Sequence, residues 1–322
     1  MKVNKKIAIL LSVFLMGSVV IGCSNKTESK DDSNQTPVEE TTTVTTKDDY
    51  TYENNDYFTS VSWLEKNKSN ENIIIIDARD ADSYNKGHIP GAINVAWQSL
   101  AKMDGKGGDP GWGTLQDKEA LSTSLSNLGI TKDSKVVVYA SKGGWGDDGR
   151  LVWCLQAAGV DARILNGGFD IWTAENLETN KDAVTITPSN FKVEEISTAT
   201  NITTDEIKSN IENLKIIDTR EADEYKGATK YGEVRGGHLP GAINISFNDF
   251  YAKDGSIKTN EEIDKIMSNA GISKDDAIVT YCTAGIRSAH MALVLKNAGY
   301  ENVRNYDASY HEWAGDSSLE VE

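Results

Sequence analysis

Ile278-Val279-Thr280-Tyr281-Cys282-Thr283-Ala284-Gly285-Ile286-Arg287-Ser288 reads as a buried strand, a tight loop and the start of a helix. The apolar, β-branched residues before Cys282 suit a strand that stops at the thiol, and Ser288 to Asn297, with Met291, Leu293, Val294 and Leu295, suits a helix. The loop between them is therefore a helix N-terminus. Backbone N–H groups converge there, the helix dipole adds partial positive charge, and Arg287 adds a full one, so a thiolate is favoured over a thiol. Cys282 is the candidate nucleophile. The bland alternative is a small buried hydrophobe, the commoner state of a free cysteine.

The stretch belongs to a repeat, because much of what precedes it occurs twice. Ile73-Ile74-Ile75-Ile76-Asp77-Ala78-Arg79 matches Ile216-Ile217-Asp218-Thr219-Arg220, and Gly87-His88-Ile89-Pro90-Gly91-Ala92-Ile93-Asn94 matches Gly237-His238-Leu239-Pro240-Gly241-Ala242-Ile243-Asn244. Val136-Val137-Val138-Tyr139-Ala140 matches the strand that ends at Cys282, and Trp172 answers loosely to Trp313. Each copy alternates short aliphatic strands with helical patterns such as Lys118 to Leu128 and Glu261 to Ala270. An α/β fold follows, with a mostly parallel sheet flanked by helices in each copy.

Cys-x-x-Gly-x-Arg after a buried strand resembles the rhodanese family of sulfurtransferases, whose cysteine carries a persulfide between a sulfur donor and an acceptor. The strand-Asp-x-Arg and Gly-His-x-Pro-Gly-Ala stretches resemble elements of the same family. Four residues separate Cys282 from Arg287; the related cysteine phosphatases and arsenate reductases place one more there to admit a tetrahedral oxyanion, so the shorter loop favours a sulfur atom. The resemblance implies two tandem rhodanese-like domains, residues 57–182 and 201–322, joined by a linker at 183–200. It implies Cys282 as the catalytic residue and Thr283, Ala284, Gly285, Ile286 and Arg287 as the loop that binds the persulfide. No cofactor or metal is implied. Asp218, Arg220, Arg235 and His238 are supporting candidates. The Asp-Arg pairs read first as structural, and His238 does too, since His88 is its counterpart in the copy without a thiol. Arg235 and Lys226 lie in a segment the first copy lacks; they are either solvated surface or positive charge at the mouth of a cleft.

The copies are chemically unequal. Ala140 stands where the second has Cys282, followed by the glycine-rich Ser141-Lys142-Gly143-Gly144-Trp145-Gly146. The first copy therefore cannot carry a persulfide, and Ser141 has no histidine nearby in sequence to activate it. Cys154, inside an apolar helical pattern, reads as core. This silent-first order resembles the two-domain rhodaneses, which implies that the Trp112 and Trp145 loops help form or screen the cleft of the second domain. Two departures bear on the substrate. Glu224 stands where enzymes acting on thiosulfate or mercaptopyruvate usually carry an anion-binding arginine, so an acid there would repel those donors, and Thr283 and Ala284 replace basic residues after the cysteine. A persulfide or polysulfide donor stays open beside thiosulfate. A surface-tethered binding or sulfur-sensing module with little turnover is the alternative from another class.

The N-terminal region reads differently. Lys2, Lys5 and Lys6 precede an apolar run from Ile7 to Ile21 that is short for a membrane span, then come Gly22 and Cys23. Val20-Ile21-Gly22-Cys23 resembles the bacterial lipobox, which implies a signal peptide over residues 1–22, lipidation at Cys23 and an extracytoplasmic protein held to the membrane by lipid alone. A plain signal peptide or an uncleaved anchor is the other reading. Residues 23–56 are polar and almost free of aliphatic side chains, a tether that cannot bury a core. With 33 basic against 49 acidic residues the net charge is −16, which argues against nucleic acid as a partner. The three cysteines, Cys23, Cys154 and Cys282, show no metal-ligand spacing. The expected partners are a small sulfur-containing donor and a thiophilic acceptor, met by a monomer.

Overall fold

The structure, a computed structural model, describes residues 56–322. The expected leader, the lipid site at Cys23 and nearly all of the tether lie outside the described residues.

Two βα arrays follow one another. The first runs β1 (Phe58–Thr59), α1 (Val61–Asn67), β2 (Ile73–Asp77), α2 (Ala81–Lys86), β3 (Ala92–Asn94), α3 (Lys118–Asn127), β4 (Lys135–Tyr139), α4 (Asp147–Ala157), β5 (Asp161–Leu165) and α5 (Gly168–Ala174). The second runs β6 (Asn201–Ile202), α6 (Thr204–Asn210), β7 (Lys215–Asp218), α7 (Ala222–Tyr225), β8 (Ile243–Asn244), α8 (Asn260–Asn269), β9 (Ile278–Tyr281), α9 (Ile286–Asn297), β10 (Val303–Tyr306) and α10 (Ser309–Gly315). Both sheets are five-stranded, in the orders β1-β5-β4-β2-β3 and β6-β10-β9-β7-β8. Every strand pair among them is parallel. This is the fold expected of a repeat whose strands read as continuous apolar runs, since helices cover both faces of a parallel sheet.

Helix starts follow local chemistry. Asp117 caps α3 by accepting from the Ala120 N–H, and Thr259 with Glu262 forms a reciprocal capping box on α8. Helix α9 begins two residues earlier than its apolar pattern predicts, at Ile286, because Gly285 takes a left-handed φ of 82° and turns the chain into it. Arg287 therefore sits in the first turn of the helix instead of in the loop.

The repeat is a repeat of bonds as well as of letters. Asp77 grips Arg79 through both carboxylate oxygens and accepts the Tyr139 hydroxyl at 2.7 Å. Asp218 grips Arg220 in the same way and accepts the Tyr281 hydroxyl at 2.6 Å. Each tyrosine oxygen in turn accepts the backbone N–H of Ile89 or Leu239, and each arginine lies over a ring, Phe169 or Tyr310. Each of these buried charges is paired with an opposite one, the condition under which such groups are tolerated inside a protein. Trp172 and Trp313 both donate their indole N–H to a carbonyl, of Glu178 and Glu320 respectively, each at 2.8 Å.

The two halves share a core. Leu151, Val152 and Leu155 of α4 and Ala289, Met291 and Leu293 of α9 fall in one buried cluster. Closeness between these helices depends on Gly149, where a Cβ atom would lie 2.4 Å from the His290 Cβ. The connecting residues 183–200 form no helix or strand. Instead Ser189 donates its N–H to the Ser126 carbonyl, the Val193 N–H donates to the Ser122 hydroxyl, and the Val193 side chain is buried. That fastening to α3 leaves the linker with partners for its polar backbone.

Candidate active site

Cys282 follows directly on β9, and its surroundings explain why a thiol there is unusual. The residue is 1% exposed, yet it contributes to the wall of a cavity of about 220 Å³. Burial raises the pKa of its thiol. Against that act the Arg287 guanidinium, the Ser288 N–H and hydroxyl and the Ala284 N–H, and together they hold the thiol below its ordinary value. The Ser288 hydroxyl lies 3.7 Å from the sulfur. Cys154 is the contrast, since it is buried in α4 and its thiol is pushed up to about 12.

This difference predicts how the two thiols react. Iodoacetamide should modify Cys282 and spare Cys154 in the folded protein, with a rate that climbs as pH rises and levels off below the ordinary cysteine value of about 8.5. Below that midpoint the thiolate fraction falls about tenfold per pH unit. Peptide mapping by mass spectrometry reads both sites, and a Cys282 as inert as Cys154 would contradict the assignment.

The loop itself is held from several directions. A Cβ on Gly285 would come within 2.4 Å of the Asp307 carbonyl oxygen, so only glycine fits. The Cys282 carbonyl accepts the Tyr310 N–H and the Thr283 carbonyl accepts the His311 N–H. Ser309 adopts a φ of 57°, a left-handed conformation that side-chain-bearing residues take at a cost. Its hydroxyl accepts the Cys282 N–H and donates to the Tyr306 carbonyl. In the silent domain glycine, Gly168, holds a comparable φ of 50° beside Ala140.

Glu224, expected at the place of an anion-binding arginine as an acid that repels anionic donors, is placed differently. It is fully buried and grips Arg287 with both oxygens, at 2.7 and 2.8 Å. Burial opposes its charge, but the guanidinium beside it keeps its carboxyl below the usual range. Thr283 joins the pair by accepting from Arg287 and donating to Glu224. The loop cation is thus already matched by a carboxylate. Arg287 also lies against the rings of Trp145 and Tyr231.

Arg235 is half-buried and does not line the cavity. Its guanidinium donates to the carbonyls of Trp313, Ala314 and Asp316 and so closes the end of α10. His238 stacks on Tyr225 at 3.7 Å and bonds the Tyr225 carbonyl, as His88 does with Tyr84. Asp218 and Arg220 serve the network under the sheet. None of these four lines the cavity. Ser141 shares a much smaller cavity with His290, a histidine 149 positions away that sequence proximity could not find. That imidazole is already committed, with Nε2 bonded to the Tyr251 hydroxyl and Nδ1 to Asp148.

The silent domain supplies part of the cavity wall. Trp97, Trp112, Trp145 and Asp147 come from it, facing Tyr231 and His311 of the other domain. Trp112 meets His311 edge to face, and Trp145 meets Tyr231 in the same way. Arg150, fully buried, pairs with Asp307 and donates to the Gly113 carbonyl, while Asp307 also accepts the Leu115 N–H. Sequence spacing carried no signal for Trp97, Ser288, Ser309 or the Arg150–Asp307 pair; Tyr231 lay in the inserted segment singled out only for its cations.

A strand-loop-helix thiol with a depressed pKa, opposite a second domain that lacks one, now stands beside comparisons with known proteins. The family model described as Rhodanese-like domain matches residues 60–175 and again 203–316. The chain belongs to the rhodanese family. A thiosulfate sulfurtransferase of Corynebacterium glutamicum is 31% identical to this rhodanese over 277 residues, 82% of this chain and 89% of that protein. The sulfur carrier protein TtuD of Thermus thermophilus is 29% identical over 277 residues, 81% of this chain and 95% of that one. The anaerobic ergothioneine biosynthesis enzyme of Chlorobium limicola, solved with trimethyl histidine, has a TM-score of 0.75 over 84% of this chain and 71% of that one. At 24% identity the likeness speaks for the fold. This rhodanese is a sulfurtransferase. Among the described residues no helix is long and apolar enough to cross a membrane.

Proposed function

We propose that the protein moves sulfane sulfur through a persulfide on Cys282. The Cys282 thiolate attacks the outer sulfur of a donor such as thiosulfate or a polysulfide. The donor S–S bond breaks and its electron pair leaves with the remainder, sulfite in the case of thiosulfate. A thiophilic acceptor, cyanide or a thiolate, then attacks the outer sulfur of the persulfide, and Cys282 departs as thiolate. Neither half-reaction needs an external oxidant or reductant. Backbone N–H groups around the loop stabilise the anionic sulfur before and after loading.

The observation that carries this reading is a thiol depressed below its ordinary value although it is almost fully buried in a cavity wall. The same observation supports turnover over a sensing module, which would have no use for a leaving group of this quality. The test is thiocyanate production from a sulfane donor and cyanide, together with intact-mass detection of one added sulfur on the Cys282 peptide. Absence of turnover with thiosulfate, polysulfide and persulfide donors alike would leave the binding or sensing reading in its place.

The same proposal places the enzyme outside the cytoplasmic membrane, lipid-anchored through Cys23 and set off from the surface by the polar residues that follow. Its support is the Lys-rich, apolar leader and the Gly22-Cys23 junction. Metabolic labelling with a fatty-acid probe should mark the protein and be lost in Cys23→Ser; label retained in that variant would refute the anchor.

A further inference from the structure

The cavity around Cys282 is walled mostly by aromatic rings. Its walls carry three indoles, Trp97, Trp112 and Trp145, and the phenol of Tyr231. Among the described residues two side chains with a full charge line it, Arg287 and Asp147. Arg287 is spoken for, since Glu224 neutralises it through two short bonds and two rings lie against it. His311, also in the wall, is held below the ordinary imidazole value by burial, which favours its neutral form at pH 7. Asp147 is raised to about 6, chiefly by burial, and still carries its charge at pH 7. A second carboxylate, Glu233, stands behind the loop near the Thr283 hydroxyl. The Cys282 thiolate or persulfide adds a further negative charge.

Once Cys282 is loaded, an anionic acceptor entering this space meets like charge and, among the described wall residues, no cation without a carboxylate partner. A cation meets aromatic faces, whose quadrupoles attract positive charge, and a carboxylate at their edge. Trp145 is 47% exposed, which leaves much of its indole open.

Building on the sulfur-transfer reading of this site, we infer that the sulfur acceptor is a small organic cation, an ammonium-bearing thiol whose positive head rests among the Trp97, Trp112, Trp145 and Tyr231 rings beside Asp147. Its thiolate attacks the outer sulfur of the Cys282 persulfide, the S–S bond breaks, and the electron pair of that bond returns to Cys282. The product is the persulfide anion of the cationic thiol, which exchanges its proton with solvent. The acceptor proton is lost to solvent before attack, so the exchange is balanced without a further reactant.

The test loads the protein with polysulfide, confirms the added sulfur on Cys282 by intact mass, and then offers three thiols of the same carbon skeleton. These are thiocholine with a quaternary ammonium head, uncharged mercaptoethanol, and mercaptoethanesulfonate. Rates of persulfide unloading are compared per thiolate present. Thiocholine is expected to show a KM about tenfold below the neutral thiol, with the sulfonate poorest. Asp147→Asn and Trp112→Leu should each shrink the thiocholine advantage severalfold while leaving unloading by mercaptoethanol much less affected. The two variants remove charge and ring separately, so a folding defect in one leaves the other to decide. Unloading by the sulfonate as fast as by thiocholine, or a thiocholine advantage untouched by both variants, would overturn the inference while sparing the sulfur-transfer reading. If polysulfide adds no sulfur to Cys282, it is the transfer reading that fails, and the acceptor inference falls with it.

Discussion

Replacing Cys282 with serine is expected to take sulfur transfer to background, a fall of at least ~10³-fold, with the fold intact. Serine matches the thiol in size, and the Ser288 hydroxyl and Ala284 N–H already around that position offer its oxygen partners. It cannot accept sulfur, because an alkoxide is not formed near neutral pH and a serine hydroxyl is a far poorer sulfur nucleophile than a thiolate. Cys154→Ser is the matched control. Cys154 is 0% exposed inside α4 and its thiol is pushed up to about 12. That variant should therefore keep its transfer activity and lose about 1–3 kcal/mol of stability from a buried hydroxyl. Thiocyanate release and circular dichroism of the two variants, measured side by side, separate chemistry from folding. Activity that survives Cys282→Ser would end the persulfide mechanism.

Arg150→Met should be the most costly single change outside the loop, about 3–5 kcal/mol in denaturant unfolding, because it strands the buried Asp307 carboxylate. Arg150 belongs to the domain that has Ala140 at the loop position, and Asp307 belongs to the domain that has Cys282 there. The Asp307 backbone packs against Gly285 so closely that a Cβ there would meet it at 2.4 Å. Losing the guanidinium should also loosen that contact, so sulfur transfer is expected to fall more than the unfolded fraction explains. The double variant Arg150→Met with Asp307→Leu removes both charges and should recover much of the stability, since an apolar pair of suitable size replaces a buried ion pair without an orphaned charge. Recovery of stability without recovery of transfer would mark Asp307 as a positioning residue for the loop. A single variant as stable as the parent would show that the silent domain does not brace the active site in this way.

Much of the architecture was legible because it is repetitive and local. Strand and helix periodicity placed α3 and α8 to within a residue or two, and the Asp-x-Arg and Gly-His-x-Pro-Gly stretches recur 141 and 150 positions apart to announce two copies of one unit. A thiol at a strand end before a glycine-turned helix was legible for the same reason. Its stabilising groups, Ala284, Arg287 and Ser288, lie within six residues of it. The companions of those groups were not. Glu224 looked like an anion-repelling acid at a substrate site and is a buried counter-ion. Arg235 looked like a cation free to meet solvent or substrate and is tied to three carbonyls.

The sequence by itself determined the two parallel α/β units, their inequality and the place of the Cys282 thiol at a strand end before a helix, because each rests on contacts between residues close along the chain or on a pattern stated twice. Only the tertiary structure decided what surrounds that sulfur. Arg287 meets a carboxylate 63 residues away, Arg150 meets one 157 residues away, and the ring-lined wall comes largely from the other domain. Buried charges take whichever partner the packing of helices brings within reach, and no spacing along the chain encodes that choice.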